Sequence, residues 1–142
     1  MNIPLGQQAQ PPKRPIASII LGDRNTSAIA STATGETLAV EVTFNSGMEM
    51  IVEGFQVLYN GNIEGALVRI YDTMRNRDLV SGNTQLGTIG YKRGTVLLQP
   101  YIKIRPLSLR TGQSMQLRFT NTTGSTVAIN DLGFSLFGYQ YV

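Results

Sequence analysis

Hydrophobic and polar residues alternate with a period of two along much of this chain. Over residues 36–44, Leu38, Val40, Val42 and Phe44 alternate with Thr37, Ala39, Glu41 and Thr43. Successive side chains of a strand point to opposite faces, so the pattern predicts a strand with one face on a core and one toward water. Residues 48–59 keep β character, with Gly54 expected as a bulge or bend. Val68 and Ile70 then face one way, and Leu67, Arg69 and Tyr71 the other. Met115, Leu117 and Phe119 alternate with Ser114, Gln116 and Arg118. In the last run Val127, Ile129, Leu132, Phe134 and Leu136 are expected to point inward. At Phe137 the apolar phase flips, so that Phe137, Tyr139 and Tyr141 occupy the alternate positions. Both sheet faces should therefore be apolar at that end, and the outer one needs a cover.

Turn chemistry separates these runs. Residues 16–21 form the expected first strand, ended by Gly22-Asp23-Arg24-Asn25. Asn60-Gly61 is the strongest hairpin signal, since both residues tolerate positive φ. Residues 72–78 read as a polar loop, residues 82–94 as a glycine-rich loop with short strand pieces, and residues 106–112 as a turn. Residues 95–105 are extended, with Pro100 marking an edge or kink. About eight strands and no amphipathic helix predict an all-β fold. The expected form is an antiparallel β-sandwich, specifically a jelly roll, over residues 16–142. Residues 1–15 differ: Pro4, Pro11, Pro12 and Pro15 oppose helix and ladder pairing, and Lys13 and Arg14 add charge. They are expected to form an extended arm, about 50 Å long at full stretch.

Composition narrows the chemistry. The 142 residues suit one domain. The chain has no cysteine and no histidine. Conventional Ser–His–Asp and Cys–His catalysis is therefore excluded, and the commonest metal ligand is missing. No phosphate-binding glycine motif and no HExxH occurs. Glu41, Glu49 and Glu53 are candidates for a carboxylate pair, but read more simply as outward strand residues paired across the sheet. Asp23 and Asn25, and Asp72, Asn76 and Asp78, are oxygen-rich but follow no calcium-loop pattern. Asn25-Thr26-Ser27 and Asn121-Thr122-Thr123 match the N-glycosylation pattern. The net charge is +3, and its arginines are spread along the chain, which argues against nucleic-acid binding. No apolar run is long enough to span a bilayer, and no signal-peptide pattern is found. The expectation is a non-enzymatic protein with no cofactor, metal, small-molecule substrate or membrane partner.

One stretch has a familiar layout. The run from Leu107 through Leu109, Gly112, Met115, Leu117, Phe119 and Asn121 to Thr123 is followed by a closing strand ending at Gly138-Tyr139. Over residues 95–142 this resembles small β-sandwich virion proteins of bacteriophages: head decoration or cement proteins, minor capsid proteins and fibre-associated domains. The resemblance implies a structural protein of the virion that folds in the host cytoplasm. It also implies a homo-oligomer, with a trimer as the expected form, bound to the major capsid protein. The expected contacts are the arm residues Pro11, Pro12, Lys13, Arg14 and Pro15, and the C-terminal edge at Phe137, Tyr139 and Tyr141. Arg75 and Arg77 are weaker candidates, for an acidic shell surface. The alternative is a carbohydrate- or receptor-binding module that stacks sugars on exposed tyrosines.

Overall fold

The computed structural model describes residues 17–95 and 101–141. The arm residues Pro11 to Pro15 and the expected kink at Pro100 lie outside this range. Nine strands occur among the described residues: β1 (Ala17–Arg24), β2 (Glu36–Thr43), β3 (Glu49–Tyr59), β4 (Leu67–Asp72), β5 (Arg77–Gln85), β6 (Gly90–Lys92), β7 (Ile102–Arg110), β8 (Ser114–Thr120) and β9 (Leu132–Tyr141). A single helical turn, α1 (Leu86–Ile89), joins β5 to β6.

The strands form two sheets packed as a sandwich. Sheet I has the order β1-β9-β3, and beyond β3 lie β7, antiparallel, and the short parallel β6. Sheet II has the order β2-β8-β4-β5 and is antiparallel throughout. The pairing is nested. β1 pairs with β9, β2 with β8, β3 with β7 and β4 with β5, and successive pairs fall in alternate sheets.

The period-two alternation sets the core. Val40 and Val42 of β2, Val68 and Ile70 of β4, and Met115, Leu117 and Phe119 of β8 point inward from sheet II. Met50, Val52, Phe55 and Val57 of β3, Leu107 and Leu109 of β7, and Leu132, Phe134 and Leu136 of β9 meet them from sheet I. Phe55 and Phe134 meet edge to face, with centroids 6.4 Å apart. Each such side chain removes roughly 1.5–3 kcal/mol worth of apolar surface from water.

Several local expectations change. β1 does not stop at Gly22 but continues to Arg24, because its whole length pairs with β9. Asn60-Gly61 makes no hairpin. Gly61 does adopt a positive φ of 86°, yet β3 and β4 lie in different sheets, so the segment is a crossover. The true tight hairpin is in the polar stretch after β4, where Asn76 takes φ 51° and Asp72 pairs with Arg77. Residues 82–94 hold the end of β5, α1 and β6 rather than a long loop. Pro106 lies within β7, not in a turn. Ile129 points outward, 57% exposed, because Val127 makes an isolated bridge with Ile29 and a turn with Asn130 at φ 69° precedes β9.

Two buried asparagines pin the loops at one end. Asn25 Oδ1 accepts from Leu132 N–H, and its Nδ2 donates to the carbonyls of Ser27 and Ala128. Asn121 Nδ2 donates to the carbonyls of Ala30 and Ser125. Both sit in N-glycosylation patterns, and both amides are buried and engaged within the fold.

β3 carries an irregularity that shapes the outer face. Val52 pairs with Gly138 and Gly54 with Phe137, so Glu53 is an extra residue opposite β9. The bulge presses the Ile51 carbonyl against Gly138, whose absent Cβ would come within 2.9 Å of the Ile51 carbonyl carbon. A second close approach lies beside it. The Tyr101 ring covers Gly54, where a Cβ would sit 2.8 Å from the Ile102 carbonyl oxygen.

Candidate functional site

The two outer faces of the sandwich differ in chemistry. Sheet II presents charges that are paired with one another. Glu36 accepts from Arg69 and from Arg118, the latter at 3.5 Å, and Asp78 lies 3.7 Å from Arg69. The Tyr71 ring lies beneath Arg118 at 4.8 Å and beside Arg69 at 5.5 Å. Bonding to Glu36 is the first cause that holds the Arg69 guanidinium above its ordinary pKa. Glu41 accepts from Ser114 and Gln116 on β8. The less favoured carboxylate pairing of Glu41 with Glu49 or Glu53 does not form, because β2 and β3 belong to different sheets.

Sheet I presents aromatic and aliphatic groups, with Glu49 and Glu53 near Tyr139. β9 alternates between buried and half-buried positions as far as Leu136, with Leu132, Phe134 and Leu136 inside. Phe137, Tyr139 and Tyr141 therefore line up on the outer face, as the sequence implied. The inner positions opposite them are Gly138 and Gln140. The register sets their neighbours: Ile20 pairs with Phe137, Ser18 with Tyr139, and Ile51 with both Tyr139 and Ser108. Phe137 stacks on Tyr101 at 4.9 Å and 17°, and Tyr139 meets Tyr141 edge to face at 5.7 Å. Ile20 is 65% exposed. A shallow hollow of about 230 Å³ lies between Ile19, Ile20, Tyr101 and Phe137. The hydrogen bond with Tyr141 is the first cause that raises the Tyr139 hydroxyl above its ordinary pKa. β1 is an edge of this sheet among the described residues.

A basic cleft borders the same face. Arg75 and Arg77, from the turn after β4, meet Arg105, Pro106, Leu107 and Ser108 of β7 and Ile51 of β3 around a space of about 390 Å³. The turn is organised by Asp72, which is fully buried. Its Oδ1 accepts from the N–H groups of Met74 and Arg75. Its Oδ2 lies 3.0 Å from Arg75 Nη1 and 3.9 Å from Arg77 Nε. Arg75 Nη2 also donates to the Ser108 carbonyl at 3.3 Å, which ties the turn to β7. The oxygens of Asp72 are thus committed to the turn, as those of Asn25 are to its loop. No cluster of three or more metal-binding side chains occurs among the described residues.

A third hollow, of about 450 Å³, lies toward the other end of sheet I, with Gly22, Gly133 and Ser135 at its base and Arg24, Arg93 and Leu58 around it. No helix among the described residues is long and apolar enough to cross a membrane.

Of the residues singled out from sequence, Phe137, Tyr139 and Tyr141 share one face, and Arg75 and Arg77 share one cleft. Sequence reasoning counted Tyr101 only among the tyrosines open to a sugar and Arg105 only among the scattered arginines, and it passed over Ile20 and the anchoring role of Asp72. Only the folded chain brings Tyr101 over Gly54 and Ile20 beside Phe137. Comparison with family models, with curated proteins and with solved structures returns no match.

Proposed function

We propose that this chain is a structural component of a bacteriophage virion, a capsid-decorating, cementing or minor capsid protein. In this reading it docks through the outer face of sheet I. One observation carries the docking: Phe137, Tyr139 and Tyr141 stand in a row on a face flanked by exposed Ile20, while the opposite outer face satisfies its own charges. Aromatic side chains are enriched in the buried centres of protein interfaces. The edge strand β1 adds to the case. Its Ile19, Ile20 and Leu21 are followed by glycine, with no lysine or proline in the strand to discourage pairing. Such an edge fits a chain whose neighbour covers it.

The virion assignment rests on the resemblance of residues 95–142 to phage β-sandwich proteins. The nested pairing supports the more specific reading of the sandwich as a jelly roll, since a long hairpin rolled so that successive pairs alternate between sheets has that topology. The arm, with Pro11, Pro12, Lys13, Arg14 and Pro15, leads into β1 and is proposed to clasp a neighbouring copy or the major capsid protein.

Two variants of the full chain test this: Phe137→Ser with Tyr139→Ser, and removal of residues 1–15. Light scattering reads the oligomer, co-sedimentation with phage shells reads docking, and circular dichroism reads the fold. Both variants are expected to keep β-sheet signal and to lose oligomerisation or shell binding. A wild-type chain that stays monomeric and ignores shells overturns the proposal. So does a pair of folded variants that assemble normally. Tight, tyrosine-dependent binding on a glycan array would favour the carbohydrate-binding alternative instead.

A further inference from the structure

We infer that the cleft between the Asp72–Arg77 turn and β7 is built to hold an acidic, partly apolar segment of a partner protein. The inference deepens the assembly reading, and rests on it for the existence of a partner, by giving that partner a chemistry.

The charge count comes first. Three guanidinium groups, of Arg75, Arg77 and Arg105, line the cleft. Arg75 and Arg77 reach the carboxylate of Asp72, which is closed to solvent. The lining thus carries three cations and no carboxylate, and Glu49 stands beside it, its Oε1 accepting from the Ser108 hydroxyl at 2.6 Å. This contrasts with sheet II, where Arg69 and Arg118 are matched by Glu36 and Asp78.

Preorganisation comes second. Asp72 accepts two backbone N–H bonds of its own turn, and Arg75 is held at both ends, by Asp72 and by the Ser108 carbonyl. A fixed guanidinium gives up little freedom when an anion arrives, so more of the interaction shows as affinity. Its planar fork also suits the two oxygens of a carboxylate.

The remaining lining selects the kind of anion. Ile51 and Pro106 put apolar surface beside the cations. A nucleic-acid backbone or a free phosphate gains nothing from that surface. A peptide with an apolar side chain between acidic ones gains from both. Continuity supports the same choice. Ile51 pairs with Tyr139 on one side and Ser108 on the other, so the cleft adjoins the aromatic face. An apolar centre with arginines at its margin is the usual anatomy of a protein–protein interface.

The test titrates the full chain with a fluorescent peptide of Glu and Leu residues, read by anisotropy. The same peptide with Gln for every Glu is the first comparison. Arg77→Gln with Arg105→Gln removes cations from the cleft. Arg24→Gln with Arg93→Gln removes equal charge from the other end of sheet I. Inorganic phosphate and a short single-stranded DNA serve as competitors. The expectation is that the Gln peptide and the Arg77/Arg105 variant each bind about ten-fold more weakly or worse. The Arg24/Arg93 variant should bind as wild type, and neither competitor should displace the peptide at equal charge. Absence of binding overturns the inference, as does equal weakening by both arginine pairs, indifference to Glu→Gln, or displacement by DNA or phosphate. Phe137→Ser with Tyr139→Ser should keep peptide binding while losing assembly, so failure here is distinguishable from failure of the docking face.

Discussion

Replacing Gly138 by alanine should destabilise the protein, against the usual trend. Glycine inside a strand is ordinarily a weak point, and alanine gains up to about 1 kcal/mol by restricting the unfolded chain. Here the bulge at Glu53 brings the β3 backbone against β9. An alanine Cβ at position 138 would lie 2.9 Å from the Ile51 carbonyl carbon, 3.2 Å from Val52 Cα, and nearer still to the Ile51 carbonyl oxygen. Carbon atoms prefer about 3.5–4.0 Å. The obstruction is backbone, not the end of a flexible side chain, so the strands must part. Overpacking of this kind costs roughly 1–3 kcal/mol. A ladder hydrogen bond stretched in the process adds about 1 kcal/mol. The expected loss is about 2–4 kcal/mol. With a urea m-value of about 2 kcal/mol/M, the midpoint should fall by roughly 1–2 M. Gly82→Ala is the control, because its nearest neighbours are Arg69 side-chain carbons at 3.8 and 4.0 Å. It should leave the midpoint unchanged or raise it. A Gly138→Ala midpoint equal to or above wild type would refute the close approach of β3 and β9.

Two further outcomes are expected. Asn25→Ala removes an acceptor from the Leu132 N–H and a donor from two carbonyls in a buried site, and should cost about 2–4 kcal/mol in urea unfolding; a loss under about 0.5 kcal/mol would mean that water replaces the amide freely. Burial first, and Glu64 second, raise the Tyr59 hydroxyl above its ordinary pKa of 10.0. The unfolded chain then loses that proton before the folded one, so the stabilising contribution is intact below about pH 10 and is lost as pH rises beyond it. Relative to Tyr59→Phe, wild-type urea midpoints should therefore fall between about pH 9 and pH 11, and a constant difference would contradict the shift.

Local periodicity carried much of the fold. Leu117 and Phe119, or Val68 and Ile70, declare their inward faces because a strand exposes only two directions to choose between. The outward row of Phe137, Tyr139 and Tyr141 was legible for the same reason. What alternation does not encode is the sheet to which a strand belongs. Asn60-Gly61 has hairpin chemistry, but β3 is already flanked by β9 and β7, so the chain crosses to the other sheet. Ile129 looked internal because it follows Val127 by two residues, yet the turn at Asn130 interrupts the strand. The basic cleft was only half visible. Arg75 and Arg77 are neighbours in sequence, whereas Arg105 reaches them through a contact between the β4–β5 turn and β7 that no local pattern announces.

The nested pairing also sets an order of events during synthesis. Ala17 at the start of β1 meets Gln140 near the end of β9, so the first strand to be made waits for the last. β2 waits likewise for β8, and β3 for β7 and β9. Among the nested pairs only β4 and β5 are joined by a tight turn, the one that Asp72 organises. Closing a short loop costs least entropy, so this hairpin is the natural place for structure to begin, with the outer pairs zipping on in sequence. The same buried carboxylate that holds Arg75 and Arg77 would then sit at the nucleus of the fold, and its loss should slow refolding as well as weaken binding.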